Sequence, residues 1–215
     1  IKFLNWLTEN HFTFVGYADY DLTKNVLSRV GGSELGTLRN PDDGNPISKN
    51  EQDHSSISSL MVVTKARMRS TVHRPVFLDY VGIRRVDASG NQIGEHRFLG
   101  LFSSSAYNQS VTNIPVLSSQ VADVTSSMAL GRDSHSGKDL MQFLETYPRD
   151  EMFQISTDEL EDVARRVLQL QERRQVRVFT RSEVFGRYVS ALVYLPRDRY
   201  TTEVRLRMEA ILLQA

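Results

Sequence analysis

Three apolar runs separated by turn sequences constrain the fold of this chain most strongly. The runs cover 60–64, 76–86 and 93–102, and each has the length and the β-branched or aromatic content typical of a strand. The five residues 87–91 (DASGN) between the last two runs have the composition of a hairpin turn. These segments together predict an antiparallel sheet.

The segment before these runs adds a helix, two further strands and a loop. Phe3 and Leu7 mark one face of a short helix, and 11–20 then alternates aromatic with polar residues. Residues 26–30 can return as a partner strand. The stretch 31–59 is rich in Gly, Ser, Asn, Asp and Pro, and it predicts a long polar loop with at most one helical turn.

Beyond residue 103 the apolar spacing becomes helical. Pro115 is expected in the first turn of a helix that places Val116, Leu117, Val121 and Val124 on one face. A second helix is expected over 137–145, ending before Pro148. Ser156 and Glu159 form a capping-box pattern, which predicts a third helix that runs to about residue 174.

The last forty residues predict a strand, a second strand and a helix. The strands are expected at 176–180 and 188–195, with a turn at Phe185 and Gly186 between them. Thr201 or Thr202 is expected to cap the final helix.

The composition excludes several classes of site. Lys plus Arg and Asp plus Glu both number 26, so no overall field attracts nucleic acid or an anionic membrane. The chain has 0 cysteines, which excludes disulfides and thiolate chemistry. No apolar run approaches the ~20 residues of a membrane span, and no signal peptide opens the chain, so a cytoplasmic location is expected. Both ends have the character of cuts, and we expect a piece of a larger intracellular protein.

No motif predicts catalysis, cofactor binding or a metal site. The glycines between Gly31 and Gly36 lack the spacing of a dinucleotide or phosphate loop. The five histidines lack metal-ligand spacing, and no serine lies in a nucleophile-elbow sequence. We therefore predict no catalytic residue, no cofactor-binding residue and no metal ligand in this chain.

A basic ribbon at 65–74 is the best candidate binding segment. If it is extended, its alternate residues share one face, and arginine binds carboxylate or phosphate through two hydrogen bonds. A competing interpretation is a charged edge strand whose cations prevent edge-to-edge pairing. A third interpretation is that the ribbon binds the phosphate backbone of a nucleic acid. The candidate contacts to an anionic effector are Lys65, Arg67, Arg69, His73 and Arg74.

Eight segments, spread over nearly the whole chain, together carry a family resemblance. They are 3–7 (FLNWL), 11–14 (HFTF), 70–75 (STVHRP), 78–80 (LDY), 97–102 (RFLGLF), 144–151 (LETYPRDE), 170–174 (LQERR) and 194–205 (YLPRDRYTTEVR). These segments resemble the large-subunit NAD-specific glutamate dehydrogenases of bacteria.

The resemblance implies a parent enzyme that oxidatively deaminates L-glutamate to 2-oxoglutarate and ammonia with NAD. It also implies self-association of identical subunits, and ACT-like and PAS-like modules that precede a distant catalytic domain. No catalytic motif of the dehydrogenase domain is present here, so none is transferred.

We therefore predict an α+β regulatory fragment. It comprises a PAS-like antiparallel sheet domain at 1–112, a helical connector at 113–174 and an incomplete ACT-like module at 175–215. The expected partner is a small-molecule effector, for example an amino acid, with no nucleic acid and no membrane. Two alternatives stay open, a structural oligomerisation scaffold and a free-standing small-molecule signalling sensor.

Overall fold

The computed structural model describes residues 1–24, 26–39, 59–72, 74–170 and 175–214. Its strands are β1 (Phe12–Thr23), β2 (Val26–Arg29), β3 (Leu35–Gly36), β4 (Met61–Arg69), β5 (Phe77–Val86), β6 (Gln92–Phe102), β7 (Arg177–Ser182) and β8 (Val189–Tyr194). Its α-helices are α1 (Lys2–Trp6), α2 (Ser104–Asn108), α3 (Leu117–Met128), α4 (His135–Thr146), α5 (Arg149–Met152), α6 (Thr157–Leu170) and α7 (Thr202–Leu212).

Six of these strands form one antiparallel sheet in the order β2-β1-β6-β5-β4, with β3 paired to β1. The hairpin between β5 and β6 is confirmed, because Asp87 Oδ1 accepts from the backbone N–H of Ser89 and of Asn91, each at 2.9 Å. Gly90 has a φ of 84°, which a residue with a side chain rarely adopts. The strand β4 lies at the edge of the sheet.

Both faces of the sheet are buried. On β5, Leu78 and Tyr80 belong to one apolar cluster and Val81 to another, as expected from the alternation of side chains along a strand. The cluster that contains Val81 also contains the buried faces of α1, α3, α4 and α6. The other cluster packs Leu78 and Tyr80 against Leu27 and Leu38.

The helical segment confirms the capping box and corrects the start of α3. Ser156 Oγ accepts from the N–H of Glu159 at 3.2 Å, and Glu159 Oε2 accepts from the N–H of Ser156 at 3.2 Å. The helix α3 begins at Leu117, so the prediction that Pro115 lies in its first turn is wrong. Val116 turns the chain with a φ of 77°, which leaves its side chain 45% exposed instead of on the buried face.

Three further predictions concern segment bounds. The predicted strand at 60–64 extends to Arg69. The expected loop at 31–59 contains the short strand β3 and one helical turn, Thr37–Arg39, and its residues 40–58 lie outside the described ranges. The helix α6 is described to Leu170, and 171–174 lie outside the described residues.

The chain is therefore α+β, as predicted. Strands β7 and β8 form a separate antiparallel pair that begins with Arg177 opposite Tyr194. Phe179, Leu192 and Tyr194 pack against the apolar cluster of the helices. Thr201 caps α7 by accepting from the N–H of Val204 at 3.2 Å, and every residue of α7 is at least partly exposed.

Candidate functional site

The structure places the five predicted effector contacts in different surroundings. Lys65 is partly buried in an ion pair, whereas Arg67, Arg69 and Arg74 are exposed. His73 lies outside the described residues. The expected extended face ends early, because β4 stops at Arg69 and its pairing with β5 is irregular between Lys65 and Arg69.

Arg69 is held at the end of the strand by the loop that follows it. Its guanidinium donates to the carbonyl of Pro75 at 3.1 Å and lies 4.5 Å from the ring centre of Phe77. The Ser70 side chain closes the same loop by donating to the carbonyl of Val72 at 2.7 Å. These contacts hold the Arg69 side chain in one position, and Arg67 and Arg74 of the same segment are also exposed.

Lys65 joins the sheet to the helices. Its Nζ lies 2.5 Å from Asp79 Oδ1 on the neighbouring strand and 3.0 Å from Asp150 Oδ2 in α5. The other oxygen of Asp79 accepts from the backbone N–H of Phe102 at 2.9 Å. Tyr107 donates to Asp150 Oδ1 at 2.8 Å. We call Lys65, Asp79, Asp150 and Tyr107 the Lys65 junction.

The electrostatics of the Lys65 junction keep the lysine charged. Burial by itself lowers the pKa of Lys65, but the attraction of Asp79 and Asp150 outweighs it and raises that pKa above its ordinary value. Burial also raises the pKa of the Tyr107 hydroxyl, with a further contribution from the charge of Asp150. The ammonium is therefore already compensated by two carboxylates.

Thr64, the residue before Lys65, contacts the turn between β7 and β8. Its hydroxyl donates to Glu183 Oε1 at 2.8 Å. Arg187 Nη2 donates to the same Glu183 oxygen at 2.6 Å and to Thr64 Oγ1 at 3.1 Å. The Tyr188 hydroxyl donates to Gln154 Oε1 at 3.2 Å and lies 3.4 Å from Thr64 Oγ1. Two consecutive residues of the edge strand thus contact two different parts of the chain.

A second buried charge cluster lies on the face of the sheet opposite to the Lys65 junction. Arg97 has 0% exposure, donates to Glu95 Oε1 at 2.8 Å and stacks 3.6 Å from the ring centre of Tyr20. Tyr80 also donates to Glu95. Burial raises the pKa of Tyr80 well above its ordinary value. In this cluster the Glu95 carboxylate accepts from both the Arg97 guanidinium and the Tyr80 hydroxyl.

Sequence reasoning did not identify Thr64, Glu95, Arg97 or Glu183. Glu95 and Arg97 sit at alternate positions of a strand whose other residues are largely apolar, and that alternation is the signal that could have pointed to them. Glu183 has no such signal. One of its hydrogen bonds comes from Thr64, which is 119 residues away in the sequence.

Neither a metal centre nor a membrane-spanning helix is found within the described ranges. No group of three or more His, Asp or Glu side chains in those ranges has the geometry to hold a metal ion. Among the helices of those same residues, none combines the length and the apolar character needed to cross a bilayer.

Comparison of the sequence with known proteins shows similarity to parts of the glutamate dehydrogenases. Residues 114–173 match the family model described as glutamate dehydrogenase, helical motif 1, and 177–215 match the glutamate dehydrogenase ACT2 domain. The chain is 39% identical over 224 residues to the NAD-specific glutamate dehydrogenase of Halomonas elongata. The chain is thus similar over its whole length to one part of an NAD-specific glutamate dehydrogenase. The resemblance found in the sequence is confirmed.

Two further NAD-specific glutamate dehydrogenases are similar to the chain over nearly its whole length. The NAD-specific enzyme of Pseudomonas aeruginosa is 39% identical over 227 residues, and that of Mycobacterium tuberculosis is 35% identical over 214 residues. The alignments cover 99 to 100% of this chain but only 13 to 14% of the length of each relative. The Lys65 junction joins the sheet to the segment matched as helical motif 1, and Thr64 contacts the segment matched as ACT2.

Proposed function

We propose that this chain is the non-catalytic N-terminal regulatory region of an NAD-dependent glutamate dehydrogenase. The parent enzyme would convert L-glutamate to 2-oxoglutarate and ammonia in the cytoplasm, with NAD bound elsewhere in the same protein. The matches to a helical motif and an ACT2 domain of glutamate dehydrogenase support this assignment. So does identity to NAD-specific relatives along the whole chain.

The proposal divides the chain into a PAS-like sheet domain at 1–112, a helical connector at 113–174 and an incomplete ACT-like module at 175–215. The family matches at 114–173 and 177–215 support the last two boundaries. The antiparallel sheet that precedes them supports the first part. We propose that the complete enzyme is a homo-oligomer.

The regulatory role would be effector sensing. The position of the basic ribbon is the main observation that supports this role. The ion pair of Lys65 with Asp150 connects the ribbon to the helices. Further along the ribbon, the exposed arginines are Arg67, Arg69 and Arg74. A small anion such as an amino-acid carboxylate would be bound by the arginines and by His73. Lys65 would act as the connection to the helices instead of binding the effector directly.

Such an effector can shift the equilibrium between two conformations of the enzyme only by the difference between its binding free energies for them. A displacement of the ribbon would change the distance between Lys65 and Asp150, so binding and helix position are physically linked. This region would thereby regulate amino-acid catabolism by the parent enzyme.

The test combines calorimetry and kinetics on the full-length enzyme. Glutamate, aspartate, leucine and NAD are titrated in turn, and glutamate oxidation is then measured with Arg69→Ala and Arg74→Ala. We expect an effector response that weakens at least tenfold in both variants and persists in Arg132→Ala, a matched exposed arginine of the helical segment. An unchanged response in Arg69→Ala and Arg74→Ala would rule out the ribbon as the binding site.

A second candidate function is that of an assembly scaffold. The helix α7 exposes Leu206 by 52% and Ile211 by 58%, so its apolar side chains are available to a partner surface. This alternative predicts no effector binding and concentration-dependent association in analytical ultracentrifugation, weakened by Leu206→Gln together with Ile211→Gln.

A further inference from the structure

The turn that joins β7 to β8 folds against the edge of the main sheet. We call residues 183–188 the Glu183 turn. The side chain of Glu183 has 0% exposure, although every other residue of the hairpin is at least partly exposed. Val178 is 51% exposed and Val189 is 63% exposed. A fully buried carboxylate at the tip of an exposed hairpin requires specific partners.

Most of those partners belong to the turn itself. Glu183 Oε2 accepts from the backbone N–H of Phe185 at 2.9 Å and of Arg187 at 3.3 Å. The Arg187 guanidinium pairs with the same carboxylate at 2.6 Å. Gly186, with a φ of 66°, allows the tight return, and its N–H donates to the carbonyl of Glu183 at 2.7 Å. The turn is therefore held in shape by contacts that do not depend on the sheet.

Among the described residues, the hydrogen bonds from the turn to the sheet and its helices go to Thr64 and Gln154. The hydroxyl of Thr64 bonds to Glu183, Arg187 Nη2 bonds to Thr64, and Tyr188 bonds to Gln154. Phe185 packs against the apolar cluster on the face of the sheet that also contains Tyr80. A hydrogen bond to a charged group contributes about 1.5 to 3 kcal/mol net, so loss of the Thr64 bond to Glu183 should change the opening equilibrium of the turn about tenfold or more.

We propose that the Glu183 turn is a releasable latch on strand β4. When the latch opens, the turn keeps its internal bonds to Glu183 and, among the described residues, loses its contacts to Thr64 and Gln154 and the packing of Phe185. Because Lys65 follows Thr64, motion of the segment matched as ACT2 reaches the Lys65 junction through adjacent residues of one strand. The regulatory consequence rests on the function proposed above, whereas the latch itself is a property of the structure.

The test is hydrogen exchange on the full-length protein, with Thr64→Val as the variant and Thr180→Val as its control. Thr64→Val keeps the shape and removes the bond to Glu183, whereas Thr180 is exposed on β7 of the same hairpin. We expect the amides of 184–188 to exchange about tenfold faster in Thr64→Val, as loss of a bond to a charged group predicts. The amides of β5 and β6 should keep their wild-type rates, and the control should match wild type throughout.

Two results would overturn the latch. One is unchanged exchange in 184–188, and the other is equal acceleration in β5 and β6, which would make Thr64 an ordinary part of the sheet. Phe185→Ala tests the packing contact independently and should accelerate the same amides. The readout does not depend on enzyme activity. If the full-length enzyme shows no effector response, the proposed function is contradicted but the latch is not. If the exchange rates of 184–188 do not change relative to those of β5 and β6 in Thr64→Val, only the latch is contradicted.

Discussion

Thr64 and Lys65 are adjacent on one edge strand, and their side chains bind carboxylates from different parts of the chain. Lys65 Nζ lies 3.0 Å from Asp150 in the helical segment, and the hydroxyl of Thr64 lies 2.8 Å from Glu183 in the terminal hairpin. Neighbouring side chains of a strand point to opposite sides, so one strand can contact two partners at once. The edge strand β4 is thereby the meeting point of the segments matched as helical motif 1 and ACT2.

Removal of the Lys65 ammonium is expected to destabilise the protein. Lys65→Met leaves Asp79, which is 2% exposed, beside Asp150 without a cation, and we expect a loss of about 3 kcal/mol in the free energy of unfolding. Urea denaturation measures the loss. Arg67→Met is the matched control on the same strand and should change the free energy by less than about 0.5 kcal/mol. Equal losses in the two variants would show that Lys65 is not a structural connection.

The charge of Glu183 predicts a dependence of stability on pH. Burial alone would raise the pKa of Glu183, but the hydrogen bonds from Arg187 and Thr64 outweigh it and lower that pKa below its ordinary value. A carboxyl with a lowered folded pKa adds stability above its unfolded pKa of about 4.3 and loses that stability as the pH falls through the folded pKa.

The comparison of wild type with Glu183→Gln measures this effect. Denaturation between about pH 6 and pH 3 should show a steeper loss in wild type than in Glu183→Gln, because only wild type loses the ionised carboxylate. Exposed Glu203→Gln should follow wild type. Parallel curves for wild type and Glu183→Gln would contradict the role given to the Glu183 charge.

The buried pair of Arg97 and Glu95 predicts strong non-additivity. Arg97→Met leaves the Glu95 carboxylate buried without its cation and should cost about 3 to 5 kcal/mol in the free energy of unfolding. The double variant Glu95→Met with Arg97→Met should cost less than the sum of the two single changes, since it leaves no uncompensated charge. Thermal and urea denaturation of all four proteins give the coupling free energy, and simple additivity would be inconsistent with a direct pair.

The capping box predicts a smaller, local effect. Ser156→Ala removes the acceptor for the N–H of Glu159 and should cost about 1 kcal/mol in the free energy of unfolding. Ser119→Ala, an exposed serine within α3, should leave stability unchanged or raise it slightly, because alanine has the higher helix propensity. Urea denaturation of both variants tests the difference, and a cost as large for Ser119→Ala would argue against the cap.

The sequence by itself determined the local structure. The turn after Asp87, the cap at Ser156 and the cap at Thr201 are each formed by residues within a few positions of one another, so their hydrogen bonds can be predicted from spacing alone. Strands β1, β2, β5 and β6 were likewise predicted from the apolar pattern, whereas β3 lies within the predicted loop and β4 extends beyond its predicted end. Family resemblance came from the same linear information.

Only the tertiary structure decided the roles of Thr64, Lys65, Arg97 and Glu183. The sequence placed Lys65 with the exposed arginines as an effector contact, since nothing near it in the chain indicated Asp150. Glu183 is buried because Thr64, 119 residues earlier, meets it across the edge of the sheet. Charge compensation between distant segments depends on how those segments pack, and a periodic pattern within one segment carries no information about that packing.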